Sequence, residues 1–156
     1  EVTMALYLVQ HGLSYSESVD PDRSLTEEGI SAVERIASVA AGYNIHVSLI
    51  RHSGKKRARQ TAEIMARYLL SDVPIEETPG LNPNDDVKAF AGLLDPGRDE
   101  MIVGHLPFLE RLVSYLITGN IGTLIFQFQN GGIICMDMLD AGKVWIIKWT
   151  LMPKIS

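Results

Sequence analysis

The chain of 156 residues carries 19 acidic and 14 basic side chains, a net charge of −5, and 46% hydrophobic residues. That length suits one domain with a sizeable core, and the composition is ordinary for a globular protein. The acidic balance excludes the broad basic face that nucleic acid or an anionic membrane surface requires, so an anionic ligand must be held by a local positive pocket.

Residues 5–10 form an apolar, β-favouring run and predict a buried strand. A polar loop follows from Ser14 to Ser24. Thr26 is a good helix N-cap, and Glu27 and Glu28 suit the positive end of a helix. Ile30, Val33, Ile36, Ala37 and Ala40 mark one face of that helix, which ends near Gly42. Residues 45–50 predict a second strand leading into Arg51-His52-Ser53, with His46 inside it as a structural residue. A helix is expected from Lys56 to Leu70, with Ala58, Ala62, Met65 and Leu69 on one stripe. A short strand is expected over Pro74–Thr78. Asn84 or Asp85 would cap a helix whose Val87, Phe90, Ala91 and Leu94 share a face. Met101–Gly104 predicts a strand, and Pro107 suits the first turn of the next helix, continued by Phe108, Leu109, Leu112, Val113 and Leu116. Residues 124–128, 131–138 and 143–151 read as strands, the last two joined by a turn at Asp140-Ala141-Gly142. The order β-α-β-α-β-α-β-α followed by strands predicts an α/β fold, a mainly parallel sheet flanked by helices with an antiparallel part near the C-terminus.

No run reaches the roughly 20 apolar residues of a membrane span, and the N-terminus lacks the pattern of a signal peptide. Glu1-Val2-Thr3 precede Met4 and are set aside on the expectation that they derive from expression, leaving 4–156 as a single domain. Cys135 is the only cysteine. It is expected to be a small buried residue without a disulfide, and the cytoplasm is the expected compartment.

Two histidine turns follow apolar runs: Leu6-Tyr7-Leu8-Val9-Gln10-His11-Gly12 and Met101-Ile102-Val103-Gly104-His105-Leu106-Pro107. Each histidine therefore sits where a buried strand ends, and ligands of open α/β sheets bind at the carboxyl ends of the strands. Gly12 permits a tight turn and close backbone approach to a ligand. Free N–H groups at the start of the helix after His105 can bind an anion. Arg57 opens the helix Arg57-Ala58-Arg59-Gln60-Thr61-Ala62-Glu63. The run Lys55, Lys56, Arg57 and Arg59 opposes the helix dipole, and an anion bound there would relieve the repulsion. Two imidazoles and a guanidinium suit phosphoryl transfer through a histidine nucleophile.

Taken together, Leu6–Gly12, Arg23-Ser24-Leu25-Thr26-Glu27-Glu28-Gly29, Ser53 with Arg57–Glu63, and Val103–Pro107 resemble the histidine phosphatase, or phosphoglycerate mutase-like, superfamily, and within it the SixA-type phosphohistidine phosphatases. The resemblance implies a three-layer α/β/α sandwich with a mixed, mostly parallel six-stranded sheet. It implies that His11 is transiently phosphorylated, that Arg57 binds the phosphoryl oxygens, that His105 faces them from the other side, and that Gly12 and the backbone N–H of Leu106 contribute to the phosphate site. No cofactor and no metal are expected: His46 and His52 lie close in sequence, but no Cys or carboxylate completes a ligand pattern.

The chain departs from the family pattern twice. Where the family reads Arg-His-Gly, this sequence reads Gln10-His11-Gly12, so one guanidinium is missing and a hydrogen bond without charge assistance replaces it. Arg23, where the SixA-type branch also carries arginine, is expected to supply the missing charge. Larger relatives carry a general-acid glutamate in a Leu-x-Glu segment, and the comparable stretch here is Leu81-Asn82-Pro83. Glu76, Glu77, Asp85 and Asp86 remain as candidate acids. A phosphohistidine protonated on its far nitrogen leaves as neutral imidazole with little need of an acid, whereas an alkoxide needs one. The short path from Thr78 to the next helix leaves no room for a lid domain, so a phosphorylated side chain on a protein could enter. The expectation is a metal-independent phosphatase acting on protein phosphohistidine. A catalytically weak phosphate-binding signalling module and a small-molecule phosphomonoesterase are the alternatives.

Overall fold

Every residue of Ala5–Gln10 is buried, and successive side chains feed opposite faces of one sheet. Tyr7 and Val9 join one core cluster and Leu6 and Leu8 the other. The computed structural model describes residues 5–69, 72–139, 142 and 144–155. Leu70 of the second expected helix, Asp140 and Ala141 of the expected turn, and Lys143 lie outside these residues, as do residues 1–4.

The elements are β1 (Ala5–Gln10), α1 (Glu27–Gly42), β2 (Leu49–His52), α2 (Lys56–Leu69), β3 (Ile75–Glu77), α3 (Val87–Ala91), β4 (Glu100–Gly104), α4 (Phe108–Thr118), β5 (Ile133–Leu139) and β6 (Val144–Leu151), with a 3-10 turn at Pro96–Arg98. Six strands form one sheet in the order β3-β2-β4-β1-β5-β6. β1 is parallel to β4, and β2 to both β4 and β3, while β5 runs antiparallel to β1 and β6 to β5. The first core cluster packs α1 and α2 on one face, and the second packs α3 and α4 on the other, giving three layers.

Local chemistry explains most boundaries. Thr26 caps α1 by accepting from the Gly29 N–H at 2.9 Å. α1 buries Val33, Ile36, Ala37 and Ala40. α3 is capped by Asp86, not Asn84 or Asp85: its carboxylate accepts from the Lys88 and Ala89 N–H groups, while Asp85 accepts from Asn82. α3 also stops at Ala91, short of Leu94. β2 starts at Leu49, so His46 lies outside it, with its Nδ1 3.1 Å from an Asp99 carboxylate oxygen. Pro107 stands at the N-cap of α4, one position before the helix, after a cis Leu106–Pro107 bond.

Residues 124–128 are not a strand. Their apolar pattern is met by side-chain packing instead: Phe126 and Phe128 stack edge-on and join the second cluster, while Leu124 and Ile125 face outward. The ladder position beside β1 is held by β5, which leaves this segment no free partner there.

Candidate active site

The parallel strands place their following residues along one sheet edge. His11 follows β1, Ser53 follows β2 and His105 follows β4. The His11 N–H donates to the Gly104 carbonyl at 3.0 Å, which fixes the two histidine turns side by side. The imidazole rings lie 5.1 Å apart between centroids, tilted by 52°.

His11 is 9% exposed. Its Nδ1 lies 2.7 Å from the Gly12 carbonyl, which can only accept, so Nδ1 carries the hydrogen. Burial pushes the imidazole pKa down from 6.5 to about 4, and the charges of Arg57 and Arg23 push the same way. The ring is therefore neutral near pH 7 with its lone pair on Nε2, the form a nucleophile needs. The turn is held from three sides. The Gly12 N–H donates to Thr61 Oγ1 at 2.9 Å, Asn130 Nδ2 to the His11 carbonyl at 3.1 Å, and the Gly131 N–H to the Gln10 carbonyl at 2.9 Å. Thr61 in turn donates to the Arg57 carbonyl at 2.8 Å, linking α2 to the His11 turn.

His105 is 1% exposed, and its Nε2 lies 2.6 Å from Ser53 Oγ. Burial lowers its pKa to about 3, assisted by His11, Arg57, Lys55 and Arg23. Arg57 is buried at the start of α2, whereas Arg59 points outward and pairs with Glu63 at 3.5 Å. Arg23 is presented by a loop built on Asp20, which accepts from the Asp22 and Ser24 N–H groups and the Ser24 hydroxyl. Its backbone is left-handed, at φ 51°. Leu106 lies in the turn between His105 and α4.

The structure thus brings His11, His105, Arg57, Arg23, Gln10 and Gly12 to one place. Among the described residues, the buried side-chain polar atoms without a partner are Gln10 Oε1, Arg23 Nε, Arg57 Nε and His105 Nδ1, all in this cluster. Buried polar groups are rarely left unpaired in folded proteins, so this concentration marks a place for a ligand. The charges acting on the two histidines include no carboxylate. Three of the candidate acids are engaged elsewhere, Glu76 with Arg51 at 3.7 Å and Asp85 and Asp86 in the α3 cap, while Glu77 lies against Gly54, next to Ser53, and beside His52.

Sequence reasoning did not place Ser53, Thr61 and Asn130 in the site. Thr61 is four residues after Arg57 and so shares its helix face, and Ser53 ends a third parallel strand. Asn130 precedes Gly131-Gly132, a turn signal that gives no hint of its partner. Among the described residues no group of three or more His, Cys, Asp or Glu side chains could hold a metal, and no helix is long and apolar enough to cross a membrane.

The chain is 33% identical over 141 residues to an uncharacterised protein of Picosynechococcus sp., covering 84% of this chain and 83% of that one. Its fold is similar to that of the protein histidine phosphatase SixA complexed with tungstate, at a TM-score of 0.81 and 22% identity over 96% of this chain and 97% of that one. It is also similar to the α-ribazole phosphatase of Shigella flexneri, at a TM-score of 0.75 and 16% identity over 97% and 98%. The sequence profile of the histidine phosphatase superfamily (branch 1) matches residues 6–85, and the chain belongs to that superfamily.

Proposed function

We propose that the protein is a phosphatase working through a phosphorylated His11, and that its substrate is phosphohistidine on a protein. The observation that carries this reading is a buried cluster of cations and unpaired polar atoms around a neutral imidazole, with no carboxylate among the charges acting on it. His11 Nε2 forms a bond to phosphorus as the bond to the leaving nitrogen breaks, and the leaving pair stays on that nitrogen as neutral imidazole. Arg57 and Arg23 neutralise the phosphoryl oxygens, and His105 and the Leu106 N–H complete the cradle. Charge stabilisation and positioning are the main tasks of such a site. Water then attacks phosphorus and returns the electron pair to Nε2.

That the charges acting on His11 and His105 come from cations and not carboxylates supports phosphohistidine over an ordinary ester. The short β3–α3 path supports an open mouth that a protein-borne group can reach, within one domain over residues 4–156. A single buried cysteine fits a reducing compartment such as the cytoplasm. Gln10 in place of arginine is the observation that favours the second reading, a weak phosphate-binding module.

The test is hydrolysis of phosphohistidine and p-nitrophenyl phosphate side by side, with trapping of the phosphoenzyme. Phosphohistidine should be the better substrate, and the trapped label should be acid-labile, alkali-stable and absent in His11→Ala. Label retained in that variant sinks the mechanism. Preference for the ester sinks the substrate, and binding without turnover establishes the second reading.

A further inference from the structure

Ser53 and His105 follow neighbouring parallel strands, β2 and β4, in which His52 stands beside Val103. Ser53 Oγ lies 2.6 Å from His105 Nε2. The turn that presents Ser53 is pinned on both sides. The Gly54 N–H donates to His52 Nδ1 at 3.0 Å, and the Thr78 N–H donates to the His52 carbonyl at 2.8 Å. The Lys55 N–H donates to Ser53 Oγ itself at 3.3 Å. Among the described residues, His105 Nε2 is then the one acceptor in contact with the Ser53 hydroxyl.

The buried His105 is neutral near pH 7, and a neutral imidazole carries one ring hydrogen. With that hydrogen on Nε2, the ring would donate to Ser53. The Ser53 hydrogen and the buried Nδ1 lone pair would then both be left over. With it on Nδ1, the serine donates to Nε2, and a single group is left over, the Nδ1 N–H. Unpaired buried polar groups are costly, so the second placement is favoured. Histidine free in water prefers its hydrogen on Nε2, so the protein must impose the opposite form. The donor that remains is buried and unpartnered, among the charges of Arg57, Lys55 and Arg23. Those cations draw in an anion, and the oxygens of an anion accept.

We propose that Ser53 is a positioning residue that holds His105 with its hydrogen on Nδ1, so that this histidine meets the phosphoryl group as an uncharged donor. The inference rests on the reading of the cluster as a phosphatase site and adds the residue that sets the hydrogen of the second histidine. Both histidines then carry the same tautomer and turn opposite ends to the ligand. At His11 the Gly12 carbonyl accepts from Nδ1 and leaves Nε2 bare to attack. At His105 the Ser53 hydroxyl occupies Nε2 and leaves the Nδ1 N–H to bind a phosphoryl oxygen. The partner that occupies one nitrogen thus decides whether the ring is nucleophile or oxyanion donor.

The experiment is nitrogen NMR of the histidine rings in the full chain at about pH 7, before and after adding inorganic phosphate. The His105 signals are assigned by their loss in His105→Asn. Wild-type protein should show the hydrogen on Nδ1 and a bare Nε2, and phosphate should shift the Nδ1–H resonance. Ser53→Ala should move the hydrogen to Nε2 and weaken phosphate binding at least about fivefold. Ser53→Thr keeps the hydroxyl and should restore both, whereas a merely structural serine would leave the tautomer where it was. A wild-type hydrogen on Nε2 overturns the proposal, as does an unchanged tautomer in Ser53→Ala. Should that variant fail to fold, the wild-type tautomer and its response to phosphate still decide. Phosphate that shifts the His11 signals but not the His105 Nδ1–H overturns this proposal and leaves the site reading intact. Phosphate that moves neither ring overturns both. A failed phosphohistidine assay with these NMR results in place removes only the substrate assignment.

Discussion

Arg57 and Arg59 are two positions apart, yet one is buried against two imidazoles and the other is half exposed beside Glu63. Arg57→Ala should therefore lose about 2–4 kcal/mol of transition-state stabilisation, read from kcat/KM. Arg59→Ala should change little, because an exposed i,i+4 pair contributes about 0.3–0.5 kcal/mol. Arg23 acts on His11, Arg57 and His105 at once. A double-mutant cycle of Gln10→Arg with Arg23→Ala, read by vanadate inhibition, should show strong coupling, because two guanidiniums would then share one anion. Additive effects would place Arg23 outside the phosphate site. The histidines also set a pH dependence. Their folded pKa values of about 4 and about 3 lie below the unfolded value of 6.5. Below pH 6.5 the unfolded chain takes up protons that the folded chain refuses, so stability falls with pH through this window. The slope is up to about 1.4 kcal/mol per pH unit for each imidazole. Urea midpoints on both sides of pH 6.5 check it, and His105→Asn should make the slope shallower.

The loop after β1 meets α1 and α2 through contacts that leave no spare volume. A Cβ on Gly29 would lie 2.1 Å from the Leu13 carbonyl oxygen, backbone against backbone. Gly29→Ala should destabilise the fold by about 1–3 kcal/mol and shift the His11 turn, measured by thermal melting together with phosphate affinity. Thr61 is fully buried in α2 and serves both the Gly12 N–H and the Arg57 carbonyl. Thr61→Val keeps the shape but strands that N–H, at a cost of about 1–3 kcal/mol. Thr61→Ser keeps the hydroxyl and should recover most of the loss. These elements differ in how plainly the sequence announced them. β1 and β4 are continuous apolar runs and α1 carries its own cap, so local chemistry suffices for each. Residues 124–128 have equally good strand chemistry, but pairing is decided by which segment reaches β1, and that is a tertiary matter.

At the scale of the whole molecule, the same division separates the parts of the site. His11, Arg57 and His105 each stand at the end or start of an element, and α/β topology brings such positions to one edge. Ser53, Thr61 and Asn130 act through partners 52, 49 and 119 residues away, distances at which spacing carries no information. The lack of a Leu-x-Glu glutamate was legible at Leu81-Asn82-Pro83, but only the folded chain shows that Glu76, Asp85 and Asp86 are occupied elsewhere and that Glu77 lies against Gly54. The hydrogen bond from the His11 amide to Gly104 has a dynamic consequence. It prolongs the β1–β4 ladder by one rung, between the two central strands, so that amide can exchange with solvent only when the sheet itself opens. Its protection in deuterium exchange should match the free energy of global unfolding, while amides in the Arg23 loop exchange through local openings. The proposed nucleophile would then be held by the most slowly opening part of the protein.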